Sequence, residues 1–252
     1  MKKAYNSKRK LLFFPGLLCI CLIFFNISCG LDVLDSVLDD PFNNVDPPNI
    51  ESGFEKANFD FSTVKLNNSN SFGKGYIYYK IYNKSSIKES EVNNIQTMTN
   101  DSSRKYNAAT TLISSYSYKE LHYASALGGT VTPVVLDNSS QNVYIRLTNY
   151  VSPFIAQISI DNKAIGIPLR YNGKTFDFGR TGEYDEKPKN NNNEDIPLDC
   201  KRLDTKGDGD GDTFYVVLYG VFSMPTDSFE KIIYSPVHYL GEVKIDAGEQ
   251  NN

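Results

Sequence analysis

The run Phe214-Tyr215-Val216-Val217-Leu218-Tyr219-Gly220-Val221-Phe222 constrains the fold more than any other segment of this 252-residue chain. It is apolar throughout, so a strand built from it needs cover on both faces. Elsewhere alternation prevails. In Tyr76-Ile77-Tyr78-Tyr79-Lys80-Ile81-Tyr82, a period of two sets Ile77, Tyr79 and Ile81 on one face. Val143, Ile145 and Leu147 alternate with Tyr144, Arg146 and Thr148, and Phe59 and Phe61 with Asp60 and Ser62. Ile158 and Ile160, then Ile165, Ile167 and Leu169, extend the series, and Ile232, Ile233, Val237, Tyr239, Leu240 and Val243 supply closing strands. Short strands, abundant tyrosine and frequent turn residues predict a mainly β chain, an antiparallel β-sandwich rather than a βαβ fold.

One region departs from this pattern. Ser86-Ile87-Lys88-Glu89 has the Ser-x-x-Glu spacing of a capping box, and Ile87, Val92, Ile95 and Met98 follow at helical spacing. A second helix is expected from Ala108 to about His122, with Leu112, Ile113 and Tyr116 on one face. Residues 86–122 therefore read as a helical insertion between two strands.

The N-terminus carries a different message. Lys2, Lys3, Lys8, Arg9 and Lys10 precede an apolar run from Leu11 to Phe25 that is broken by Pro15 and Gly16. Basic n-region, short h-region and a small residue at the cut site describe a secretory signal. A run this short falls below the ~20 apolar residues of a spanning helix. Cys29 ends it, flanked by Ser28 and Gly30, whereas Cys19 and Cys21 follow the bulky Leu18 and Ile20. The segment resembles a bacterial lipoprotein signal, which implies cleavage before Cys29 and acylation of that cysteine. Asn26 stands where such signals carry a leucine-like residue, and spirochaetal lipoproteins share this looser pattern. Several acyl chains on one residue give stable anchoring at ~0.8 kcal/mol per buried CH₂. The resemblance implies an extracytoplasmic protein held on a membrane, with the outer membrane as its expected location.

Residues 30–53, with Pro41, Pro47 and Pro48, read as a tether, 54–247 as the sandwich domain and 248–252 as a tail. Residues 183–199, with Asn190 to Asn193 and few apolar side chains, are expected to be a disordered loop. Removing residues 1–28 takes away five basic and no acidic residues, so 21 basic face 30 acidic ones and the net charge is −9. That balance, with no basic patch, argues against nucleic-acid binding. Of the four cysteines, Cys29 and Cys200 survive cleavage, and acylation of Cys29 leaves Cys200 as the one thiol, which excludes an intramolecular disulfide framework.

Cys29 after its signal, the Tyr76–Tyr82 strand and the near-terminal Ile233-Tyr234-Ser235-Pro236-Val237-His238-Tyr239-Leu240-Gly241 together resemble spirochaetal, treponeme-type lipoproteins with a fibronectin-III or immunoglobulin-like sandwich. The resemblance covers most of 54–245 and implies display on a lipid anchor, with no activity to carry over.

Motifs that carry chemistry are sparse. Asp204 to Asp212 alternates Asp and Gly, and Asp208, Asp210 and Asp212 are the candidate Ca²⁺ ligands. As an EF-hand starting at Asp208 the loop fails, since Thr213 stands at the glycine position and Tyr219 at the bidentate glutamate. It reads first as an Asp-Gly turn into the Phe214 strand, and second as a low-affinity Ca²⁺ site. No other cofactor is expected. Asn172-Gly173-Lys174-Thr175 imitates a phosphate loop, but Pro168 replaces the required glycine, so it reads as a hairpin turn before a Phe176-Asp177-Phe178 strand. Ser102-Ser103-Arg104-Lys105 has Ser-x-x-Lys spacing without its companion motifs. His122 is expected on a helix surface and His238 on a strand, too few to build zinc or Ser-His-Asp chemistry. The expectation is a non-enzymatic binding or adhesion module for a protein or glycan ligand, with a periplasmic structural or envelope-assembly role as the alternative.

Overall fold

A computed structural model describes residues 41–46, 58–65, 73–125, 130–148, 155–178, 200–201, 213–225 and 232–246. Cys29, Ser28, Gly30, the Asp208-Asp210-Asp212 loop, residues 183–199 and the 248–252 tail lie outside the described residues.

The protein is mainly β, in two sheets. The first contains β1 (Phe42–Asp46), β2 (Asn58–Thr63), β5 (His122–Ala124), β6 (Thr132–Pro133), β8 (Gln141–Arg146), β9 (Gln157–Ile160) and β10 (Lys163–Leu169). Its order is β1-β2-β8-β9-β10-β5-β6, antiparallel throughout. The second is centred on β12 (Thr213–Pro225), which pairs with β3 (Lys74–Tyr82) on one edge. On its other edge lie β13 (Ile232–Tyr234) and β14 (His238–Asp246). Beyond β3 run three two-residue strands, β4 (Lys119–Glu120), β7 (Val135–Leu136) and β11 (Cys200–Lys201), of which β11 pairs parallel.

Alternation decides where each strand points. Ile77, Tyr79 and Ile81 of β3 and Phe214, Val216 and Leu218 of β12 meet Phe59, Phe61, Val143, Ile145 and Ile158 of the first sheet in one buried cluster. Tyr82, Val217, Tyr219 and Val221 face the other way, into a second cluster. Its far side is α1 (Ser85–Asn100), followed by a short helical segment that runs from Lys105 through a π-type turn at Thr111–Ser115. Val92, Ile95, Ala108, Ala109 and Leu112 are its buried contribution. The second sheet is thus covered on both faces, as the Phe214–Phe222 run requires.

Four expectations are corrected. The strand Phe42–Asp46 lies inside the stretch read as a tether, and Phe42 is buried in the inter-sheet core, so the domain begins before residue 54. The helical part ends at Ser115 rather than near 122, because the chain returns to pair Lys119 and Glu120 with Tyr79 and Tyr78. The capping box does not form: Lys84 is the N-cap, Ser86 lies inside the helix, and no side chain caps the end. Phe176-Asp177-Phe178 is a buried turn rather than a strand, because its two rings drop into the core beside Tyr79 and Phe214.

Two glycines solve specific problems. Gly241 takes φ +118 at the bulge where β14 shifts register against β12, a conformation that penalises a side chain. Gly220 leaves room for the Phe42 ring, since a Cβ there would sit 2.4 to 2.6 Å from three ring carbons. Phe42 is 4% exposed, so the ring has nowhere to go. Gly220→Ala is expected to cost about 1–3 kcal/mol in urea unfolding. Combined with Phe42→Ala the two losses should fall short of additive, because removing the ring also removes the clash that Gly220→Ala creates. Full additivity would show that the ring does not rest on Gly220.

Candidate functional site

The chemically richest place among the described residues is the outer face of the second sheet, beneath α1. The register builds it in three cross-strand rows: Tyr82–Tyr215–Lys244, Lys80–Val217–Glu242 and Tyr78–Tyr219–Tyr239. The alternation that sends Ile77, Tyr79 and Ile81 inward therefore sends Tyr78, Lys80 and Tyr82 towards the helix.

Burying a lysine on such a face is costly unless it is paired and hydrogen-bonded. The side chain of Lys80 is 5% exposed and its partner Glu91, from α1, 13%. Lys80 Nζ donates to Glu91 Oε2 at 2.7 Å and to the Tyr116 carbonyl at 2.6 Å. The rings of Tyr82, Tyr116 and Tyr118 surround that nitrogen at 5.0, 5.7 and 5.7 Å from their centroids. Tyr82 Oη donates to the same Glu91 oxygen at 2.8 Å and lies 2.9 Å from Tyr118 Oη. One turn earlier on the helix the polarity reverses, and Lys88 donates to Glu242 Oε1 of β14 at 2.6 Å, over the Tyr215 ring. Helix and sheet thus exchange charges: a sheet lysine meets a helix glutamate and a helix lysine a sheet glutamate.

The tyrosines form a continuous series. Tyr82 meets Tyr118, Tyr118 meets Tyr219 and Tyr219 meets Tyr239 edge to face, with centroids 6.4, 5.5 and 5.4 Å apart. Burial raises the phenol pKa of Tyr78, Tyr82, Tyr118, Tyr219 and Tyr239 well above the ordinary value, and neighbouring carboxylates add to it. Tyr219 Oη has no hydrogen-bond partner among the described residues, so this layer is not fully satisfied.

The residues singled out from sequence do not meet here. His122 sits on β5, not on a helix, half-buried; burial lowers its pKa while Glu120 opposes the shift, and its Nδ1 has no partner among the described residues. His238 opens β14 and stacks on Phe42 at 6.0 Å. Cys200 lies on β11 opposite Ile81 of β3. Ser102–Lys105 forms an exposed turn in which Asp101 accepts from Ser103 N, Ser103 Oγ and Arg104 Nε; these bonds hold the carboxyl down at about 2. Asn172–Thr175 is a tight turn with Gly173 at φ +82. Among the described residues no group of three or more His, Cys, Asp or Glu is placed to hold a metal ion, and no helix is long and apolar enough to cross a membrane.

The Lys80–Glu91 pair escaped the sequence-based reading because a lysine between tyrosines on an alternating strand looks solvent-facing. The available signal was position: a helix that starts three residues after the strand ends needs a surface to cover, and the outer face of that strand is the nearest one. Comparison with known protein families, curated proteins and solved structures finds no match to this chain.

Proposed function

We propose that this chain is a lipid-anchored protein of the cell envelope, acylated at Cys29 and displaying a β-sandwich of immunoglobulin or fibronectin-III kind as a non-enzymatic binding module for a protein or glycan. The observation that carries the reading is the basic, apolar and small-residue order of the first 30 residues, ending in Ser28-Cys29-Gly30. Two sheets sharing one core support the sandwich, and the helical layer makes the second sheet's outer face part of the interior. The net negative charge of the mature chain directs the search for ligands away from nucleic acid and anionic lipid. The Asp208-Asp210-Asp212 loop is proposed as a turn.

Wild-type protein is expected to enter the detergent phase on partitioning and to be removed from intact cells by added protease. Cys29→Ser should remain as unprocessed precursor. A Cys29→Ser protein that still partitions with membrane at mature size sinks the lipid anchor. Protection of the wild type until the envelope is broken replaces surface binding with a periplasmic structural role.

A further inference from the structure

We propose that Lys80 and Glu91 condense to an intramolecular amide that bonds the middle of β3 to α1. Four features of the site converge on this chemistry. The amine nitrogen is 2.7 Å from Glu91 Oε2, one C–O bond away from the carbon it would attack. Both groups are largely buried, and three tyrosine rings close around the nitrogen. The Tyr116 carbonyl accepts from Nζ at 2.6 Å and fixes its position. Finally, an acid stands on the oxygen that has to leave: Tyr82 Oη donates to that same Oε2 at 2.8 Å, with Tyr118 Oη behind it at 2.9 Å.

The step balances without any outside reagent. Lys80 begins as an ammonium and Glu91 as a carboxylate. One proton passes from nitrogen to Oε2 along the 2.7 Å hydrogen bond that the two groups already share. The freed lone pair attacks Glu91 Cδ and forms the C–N bond. The C–Oε2 bond then breaks, and the oxygen departs as water on receiving a second proton, delivered by the Tyr82 hydroxyl, which recovers one from the nitrogen. Three ammonium hydrogens end as one amide N–H and two in water, and nothing is oxidised or reduced.

In free solution water wins this equilibrium by its concentration. Oriented groups held in one site reach effective concentrations of about 10⁵–10⁸ M, enough to reverse that preference. The rings that exclude water also keep the product from hydrolysis. Burial keeps the Tyr82 phenol protonated, as its relay role requires. Tyr82 acts by positioning and proton relay, whereas Lys80 and Glu91 are the reacting groups. The consequence is mechanical. The helical layer, joined to the second sheet by packing and ion pairs, becomes bonded to it covalently across 11 residues of chain.

The test is peptide mass spectrometry on full-length protein, purified folded, then denatured and digested. The expected result is a branched peptide joining Lys80 to Glu91, lighter by one water than its two parts, with Lys80 resistant to trypsin and to amine-acylating reagents after denaturation. Lys80→Arg retains the charge but not the reactive amine, and should fold without a branch. Tyr82→Phe keeps the ring and should slow branch formation at least tenfold after refolding from a reduced-branch population made by fresh synthesis. Wild-type protein whose circular dichroism shows it folded, yet whose Lys80 and Glu91 appear in separate unmodified peptides, overturns the proposal. Unchanged branching in Tyr82→Phe overturns the relay.

Discussion

Raising the pH through 10 is expected to unfold the protein in a single step that releases five tyrosines together, four of them buried and Tyr239 half-buried. Tyr78, Tyr82, Tyr118, Tyr219 and Tyr239 all have phenols pushed up, chiefly by burial. Below about pH 9 each is protonated in both states and contributes no pH dependence. Above 10 the unfolded chain loses these protons while the folded one holds them, so stability falls as pH rises. Once the unfolded phenols are ionised, the slope for five protons is about 7 kcal/mol per pH unit. It follows from the number of protons, not from how far each pKa has moved. Against a total stability of about 5–15 kcal/mol, that places the collapse roughly 0.7 to 2 units above pH 10. Phenolate absorbance and circular dichroism followed in parallel should show exposed tyrosines titrating gradually and the five appearing with the loss of ellipticity. Gradual ionisation of all tyrosines near pH 10 with the fold intact would mean that water reaches the layer under α1.

Lys80→Ala should lower stability by about 3–5 kcal/mol, the cost of stranding a buried charge. The variant leaves the Glu91 carboxylate, 13% exposed, with Tyr82 Oη as its hydrogen bond in place of a cation. It also removes the aliphatic stem that fills the space between Tyr82, Tyr116 and Tyr118. That figure is a floor, since an amide between the same groups would be lost as well. Urea unfolding monitored by circular dichroism reads the difference. By contrast Lys74→Ala should change stability by under 1 kcal/mol, because its ion pair with Asp137 is solvent-exposed on both sides. Equal effects at the two lysines would show that Lys80 is hydrated and that the layer is not closed.

The strands were legible because period-2 alternation is a direct record of two unequal faces. Ile77, Tyr79 and Ile81, and Val143 and Ile145, lie in the inter-sheet core where their spacing puts them. The second half of the helical insertion was less legible. Leu112, Ile113 and Tyr116 keep helical spacing, but the π-type turn at Thr111–Ser115 and Ser117 at φ +58 turn the chain back into the sheet. That reversal is settled by pairing with β3, a contact between residues some forty positions apart that local periodicity does not encode. The tether was misread for a similar reason. Three prolines in 41–48 argue against a helix, yet Phe42 finds a long-range seat over Gly220.

By itself the sequence determined the two-faced strands, the doubly covered β12, the existence of a helical segment after β3 and the charge of the chain. Each follows from side-chain chemistry repeated at a fixed local spacing. Tertiary structure alone decided that Lys80 and Glu91 meet, that Lys88 finds Glu242 of a strand 154 residues away, and that the tyrosines of three strands and the insertion form one edge-to-face series. Those meetings depend on which strands become neighbours, and neighbour choice is fixed by the packing of the whole core.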